Sequence, residues 1–203
     1  MIAGTLRRRT LKAPPGLATR PTSDRLRETL FNVLAPRIEG ARFLDLYAGS
    51  GAVGIEAVSR AAATVVLVER AEPALKVLRA NLDQLGLRGQ VRVEAVSVAA
   101  FLQRVRQDSK AMRFDVVFLD PPYDDADEYE TALRLLGNPV TTLLADDAVV
   151  IAEHRRKEKL EETYGALRRV RVLEQGDAGL SFYEAAGSLT SDFRATQSDQ
   201  GEA

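Results

Sequence analysis

The sequence predicts an α/β fold, a largely parallel sheet covered by helices on both faces. Short apolar runs such as Thr64–Glu69 and Phe114–Asp120 alternate with segments of helical period, which is the pattern of parallel strands joined by helical crossovers. The alternation breaks only near the C-terminus, where Arg168–Glu174 and Leu180–Ala185 flank Gly176-Asp177-Ala178-Gly179 and read as an antiparallel pair that closes the sheet.

Taken in order, the first 21 residues form a basic arm or small hairpin. Two short runs, Met1–Leu6 and Thr10–Lys12, surround an arginine cluster and are followed by Pro14-Pro15-Gly16. From Thr22 to Leu34 the apolar residues Leu26, Leu30, Val33 and Leu34 recur at helical spacing behind a Thr22/Ser23 cap. Phe43–Tyr47 is the first strand, and Gly49–Ser59 a turn and helix. Thr64–Glu69 is the second strand, Pro73–Leu85 a helix ending near Gly86, Val91–Val96 the third strand, and Ala99–Arg106 a helix. Phe114–Asp120 is the fourth strand, followed by a helix around Tyr129–Leu136, a strand at Ala148–Glu153 and a helix starting near Lys157. The domain spans residues 22–186, and residues 187–203, polar with almost no apolar content, read as a disordered tail.

Composition narrows the chemistry. The 203 residues are 45% hydrophobic, enough for one well-packed domain. With no cysteine and a single histidine, thiolate and multi-histidine metal sites are excluded, so no metal is expected. The start carries no apolar leader and no 18-residue apolar run follows, so a cytoplasmic protein without membrane contact is expected, with a monomer as the default. Residues 1–42 carry nine Lys/Arg against three Asp/Glu, while the rest carries 19 against 26. A basic end of this kind suits a polyanion, and Arg7, Arg8, Arg9 and Lys12 are candidates for nucleic-acid phosphates, with Arg20 and Arg25 near the entrance to the site. His154, followed by Arg155-Arg156-Lys157, reads as a surface residue.

Two constellations carry reaction chemistry. In Asp45-Leu46-Tyr47-Ala48-Gly49-Ser50-Gly51, a strand runs into a helix through glycines that let the backbone approach a ligand. Asp45 selects among ligands: beside a pyrophosphate its carboxylate is disfavoured, whereas it suits the ammonium of S-adenosylmethionine. Glu69, at the end of the second strand, stands where an acid meets ribose hydroxyls, and Ser97 where the adenine ring belongs. Tyr47, Gly49, Ser50 and Gly51 complete the candidate cofactor site, with Asp120 at its far side. The second constellation is Asp120-Pro121-Pro122-Tyr123. Its carboxylate and the Pro121 carbonyl can accept hydrogen bonds from an exocyclic amine, Pro122 stiffens the turn and Tyr123 can stack on the base that carries the amine. These residues alone admit adenine, cytosine or guanine as the methyl acceptor, and leave open a DNA amino-methyltransferase or a non-catalytic RNA-binding assembly factor.

With these residues in place the chain resembles the bacterial small-subunit rRNA methyltransferase D family, over nearly residues 1–186. The marks are Thr19-Arg20-Pro21-Thr22-Ser23-Asp24-Arg25-Leu26-Arg27-Glu28 with Leu30-Phe31-Asn32, then Leu44–Gly51, Gly54–Arg60 and Phe118–Tyr123. The resemblance implies a Rossmann-like class I methyltransferase with a seven-stranded, mostly parallel sheet and an antiparallel closing strand. It also implies S-adenosylmethionine as methyl donor and the N2 amine of a guanine in 16S ribosomal RNA, within the small subunit or an assembly intermediate, as acceptor. Two departures stand out: Ser97 replaces the acid or amide many relatives carry at the adenine, and Ala61-Ala62-Ala63 replaces the usual glycine after Arg60.

Overall fold

The computed structural model describes residues 1–13, 21–106, 111–122, 126–140 and 142–185. Among the described residues, eight strands form one sheet in the order β3-β2-β1-β4-β5-β8-β7-β6. The five parallel strands are β1 (Arg42–Asp45), β2 (Thr64–Val68), β3 (Val91–Glu94), β4 (Phe114–Leu119) and β5 (Leu144–Arg155). The antiparallel end holds β6 (Thr163–Tyr164), β7 (Leu167–Gln175) and β8 (Ala178–Ala185), with β8 inserted between β5 and β7. The eighth strand, beyond the seven expected, is the two-residue β6.

Helices cover both faces because the central strands are apolar on both. Leu26 and Leu30 of α1 (Pro21–Val33), Ile38 of α2 (Ala35–Ile38), Ile55 of α3 (Ala52–Ser59) and Leu75, Leu78 and Leu82 of α4 (Glu72–Leu85) pack with Phe43, Leu67, Phe118 and Ile151. On the opposite face, Phe101 and Leu102 of α5 (Val98–Arg106) and Tyr129, Leu133 and Leu136 of α6 (Ala126–Leu136) pack with Leu44, Val66, Val117 and Val150. Adjacent residues of one strand therefore feed two separate cores. The odd-even alternation decides which face each carboxylate at a strand end will serve.

Three expectations need correction. The segment after β5 is not a helix: Arg156 and Lys157 form a turn, with the Arg156 amide donating to the Asp177 carbonyl at 2.8 Å, and the chain continues to β6. Its alternating charges carry no apolar stripe for a helix to bury, so the backbone pairs with the β7–β8 turn instead. The described part of the N-terminal arm contains no strand. It winds into turns, with Met1's ammonium on the Arg9 carbonyl at 2.6 Å. Nor does it stand clear of the core, since Met1, Leu6 and Leu11 pack against it. His154 is buried, not on the surface. Its Nδ1 meets the Arg155 carbonyl at 2.8 Å and its Nε2 the Ser181 hydroxyl at 2.9 Å, and burial lowers its pKa. Gly179 faces the imidazole so closely that a Cβ there would lie 2.7 Å from Cε1.

Three buried polar side chains fasten the arm: Ser59 on α3, whose hydroxyl accepts the Leu6 amide at 3.0 Å and donates to the Ala3 carbonyl, together with Glu56 and Asn81. Glu56 on α3, fully buried, accepts the amides of Ile2 and Ala3 at 2.9 Å each and pairs with Arg60 at 2.9 Å. Asn81 on α4, also fully buried, accepts the Lys12 amide at 2.8 Å and donates to the carbonyls of Lys12 and Ser50, both at 3.0 Å. One side-chain amide thus satisfies backbone groups from the basic arm and from the glycine-rich loop. Buried polar groups are tolerated only when paired, and here the pairing fixes two segments distant in sequence.

Candidate active site

The carboxyl ends of β1, β2, β4 and β5 converge on one edge of the sheet, where open parallel sheets place their ligands. At β1, Asp45 is 1% exposed and its Oδ1 has no hydrogen-bond partner. Desolvation raises its pKa to about 7, opposed by the backbone amides of Tyr47 and Gly54. An orphaned carboxylate oxygen in the fold interior is costly, and a cationic ligand group is the partner that would relieve it.

Beyond Asp45 the chain turns on Gly49 and Gly51, at φ +53° and +83°, and the Gly51 amide donates to the Ala48 carbonyl at 2.7 Å. A Cβ on Gly51 would meet Leu78 Cδ1 at 2.4 Å, whereas none of the protein's atoms lies within 4 Å of a Cβ built on Gly49. Gly51 is therefore spent on packing α3 against α4, and Gly49 leaves open space. Ser50 contributes its carbonyl to Asn81. Glu69, just past β2, braces this loop. Its Oε2 accepts the Gly49 amide at 2.9 Å and its Oε1 the Ala71 amide at 2.7 Å. A carboxylate fixed by two amides is held in one orientation with lone pairs to spare for hydroxyl donors. Tyr47 donates to Glu128 Oε2 at 2.7 Å, and Glu128 pairs with Arg70 at 3.3 Å, which ties the β1 loop to α6.

Ser97 lies at the start of α5, where its hydroxyl accepts the Ala100 amide at 3.3 Å and its carbonyl accepts Phe101 at 2.9 Å. It is a helix cap, which gives this position a structural use independent of any ligand.

Asp120 follows β4 directly, with Pro121 buried and Pro122 exposed beside it. Desolvation raises the Asp120 pKa well above the usual carboxylate range, and the charges of Glu153 and Asp45 push it further. Asp120 nonetheless keeps some solvent exposure, so it occupies the lip of the site and not its floor. Tyr123 and Arg20 lie outside the described residues, as does the tail expected at 187–203. Arg25, on α1, and Arg7, Arg8, Arg9 and Lys12, on the arm, are exposed.

Two members of this edge were not singled out in the sequence. Glu153, near the end of β5, has its pKa raised to about 7 by desolvation and partly restrained by Arg27. Arg27 of α1 is half-buried; its guanidinium donates to Asp24 at 2.8 Å while its Nε is buried without a partner. In the sequence Glu153 is only an acid ending a strand; its place beside Asp120 comes from the pairing of β4 with β5.

A five-stranded parallel sheet with an inserted antiparallel strand, a glycine turn after β1 and acids closing β1, β2 and β4 define a Rossmann-like methyltransferase. The donor set fits S-adenosylmethionine, since Asp45 offers an orphaned acceptor to an ammonium and Glu69 a braced carboxylate to hydroxyls. The chain belongs to the small-subunit rRNA methyltransferase D family. The family described as Conserved hypothetical protein 95 matches residues 1–184. Over 194 residues the chain is 37% identical to Escherichia coli ribosomal RNA small subunit methyltransferase D, covering 95% of this chain and 93% of that protein. It is 35% identical over 187 residues to Bacillus subtilis YlbH, provisionally named an rRNA methyltransferase, covering 92% of this chain and 99% of that one. The solved structure of Escherichia coli yhhF, provisionally named a methyltransferase, superposes with a TM-score of 0.77 at 34% identity, covering 91% of this chain and 96% of that one.

Proposed function

We propose that this protein transfers the methyl group of S-adenosylmethionine to the exocyclic N2 amine of a guanine in the 16S ribosomal RNA of the small subunit. The observation that carries the reading is the convergence of Asp45 and Asp120 on one carboxyl edge, in a chain matching a small-subunit rRNA methyltransferase along nearly its whole length. The donor supplies an electrophilic sulfonium methyl. Asp45 receives the ammonium, Glu69 the ribose hydroxyls, and the backbone at Gly49 leaves room for the ligand's approach.

The guanine N2 lone pair is delocalised into the ring and nucleophilic only when held in line. Asp120 and the Pro121 carbonyl accept its two hydrogens, which directs the lone pair toward the methyl carbon. The nitrogen becomes strongly acidic as the C–N bond forms, so Asp120 can take the proton after displacement without being a strong base beforehand. Tyr123 stacks on the displaced base. Arg7, Arg8, Arg9 and Lys12 bind phosphates without reading sequence, with Arg20 and Arg25 lining the approach.

Small subunits lacking the modification, incubated with protein and labelled S-adenosylmethionine, are expected to yield N2-methylguanosine in nucleoside mass spectrometry. Label found only in methyladenosine or methylcytidine overturns the base assignment, and no label at all overturns the activity. Replacing Arg7, Arg8 and Arg9 together with alanine is expected to reduce the slope of log affinity against log salt by roughly 2 units. An unchanged slope removes the arm from the RNA contact.

A further inference from the structure

We infer that Glu153 is a base-reading residue: its carboxylate accepts the N1–H of the target guanine while Asp120 accepts an N2–H. The inference rests on the function proposed above and adds the group that selects the base. Register supplies the first argument. β4 and β5 pair in parallel with Phe118 opposite Ile151 and Leu119 opposite Ala152, so the next pair in line is Asp120 and Glu153. Asp120 shares the face of Phe118, and Glu153 that of Ile151, both in the core under α1. The two carboxylates therefore leave neighbouring strands toward the same side, and each registers electrostatically with this edge: Asp120 feels the charge of Glu153, and Glu153 that of Arg27.

The second argument is that Glu153 is held and not spent. The Tyr129 hydroxyl donates to the Glu153 carbonyl at 2.8 Å, which fixes the backbone at this point. No hydrogen bond or ion pair that would spend its carboxylate ties it to Arg27, whose guanidinium is turned to Asp24. An acid kept in a desolvating edge next to another acid is unfavourable for folding, and such an arrangement persists where a ligand with paired donors offsets it.

The chemistry of the bases makes the assignment selective. Guanine N2 lies beside N1–H, so its edge offers two adjacent donors. Adenine N6 lies beside N1 and cytosine N4 beside N3, both of them acceptors. One carboxylate, Asp120, suits all three amines. Two neighbouring carboxylates suit guanine alone, because the second would face a lone pair on adenine or cytosine. Arg27 opposes the desolvation that raises the Glu153 pKa to about 7 and so favours the ionised form this contact uses, acting as a positioning residue.

The test uses 2-aminopurine, which keeps the N2 amine but carries an acceptor at N1. Small subunits reconstituted with guanine or 2-aminopurine at the methylated position are treated with the full-length protein, and kcat/KM is compared. Wild type is expected to prefer guanine by about 10³-fold or more, as sites built around a substrate N–H reject analogues lacking it. Glu153→Gln, whose amide can present N–H to the N1 acceptor, is expected to bring the two substrates within about tenfold. Glu153→Asp retains the charge and is expected to retain the preference with a raised KM. Cofactor titration of each variant reports whether the site is folded. A Gln variant that binds cofactor and keeps the wild-type ratio, or loses turnover on both bases alike, overturns the role of Glu153. Absence of N2 methylation by wild type on guanine overturns the underlying reaction instead, so the two failures are read separately.

Discussion

Asp120→Ala is expected to slow methyl transfer by about 10²–10³-fold with cofactor affinity nearly unchanged, as when one positioned partner of a reacting centre is removed. Asp120 stands at the lip of the site, where it can grip the acceptor amine, while Asp45 lies buried at the inner end. Removing it also relieves a crowd of like charges, because Asp45 and Glu153 both raise its pKa. The alanine protein should therefore fold at least as well as the parent, and lost activity cannot be blamed on lost structure. Single-turnover transfer with labelled donor, beside a calorimetric cofactor titration, makes the separation. Turnover near the parental rate would remove Asp120 from the chemistry.

Asp45→Asn should act in the opposite order, weakening the cofactor and strengthening the fold. Loss of a charge-assisted contact to an ammonium is expected to raise the cofactor Kd by about 10–100-fold. The stability effect follows from proton linkage. Asp45 has a pKa of about 7 in the fold against an ordinary value of 3.8. Between those values the folded chain holds a proton that the unfolded chain has released. Stability of the cofactor-free protein therefore falls as pH rises through this window, and the loss is complete above it. Asparagine has no charge to bury, so the variant's melting temperature should exceed the parent's by about 5 °C or more at pH 8, with the gap closing toward pH 4. A gap that is flat with pH would show that Asp45 is not the group responsible. The result would be a trade in which a destabilising carboxylate is retained for its ligand.

The alternation of apolar runs with helical segments made the parallel sheet legible, and Gly176-Asp177 between two charged-apolar strands gave away the closing hairpin, because both signals are local. The two segments that departed from expectation owe their structure to partners far along the chain. The arm was read without its anchors because Glu56 and Asn81 look like ordinary polar helix positions until α3 and α4 turn them inward. Arg156–Leu160 likewise takes its shape from the β7–β8 turn. His154 looked like part of a basic surface run because only its own strand neighbours were visible. Its partner Ser181 sits 27 residues away on β8. Within the site, Asp45 and the glycines were readable from spacing, and their geometry is consistent with that reading. Glu153 was not, because its place beside Asp120 is a matter of register between β4 and β5.

The order of strands also bears on how the molecule behaves at high concentration. A sheet invites a second copy to pair wherever backbone donors and acceptors lie open along a border. Here one border is β3, four residues long and carrying the Arg92–Glu94 pair, and the other begins with the two-residue β6. Past β6, β7 carries Arg171 and Glu174, and its pairing with β8 shifts register between Arg169 and Arg171. Charge and an irregular backbone both oppose the addition of a flat foreign strand. The antiparallel end that closes the fold thus also guards it against cross-molecule β-pairing and the aggregates such pairing seeds.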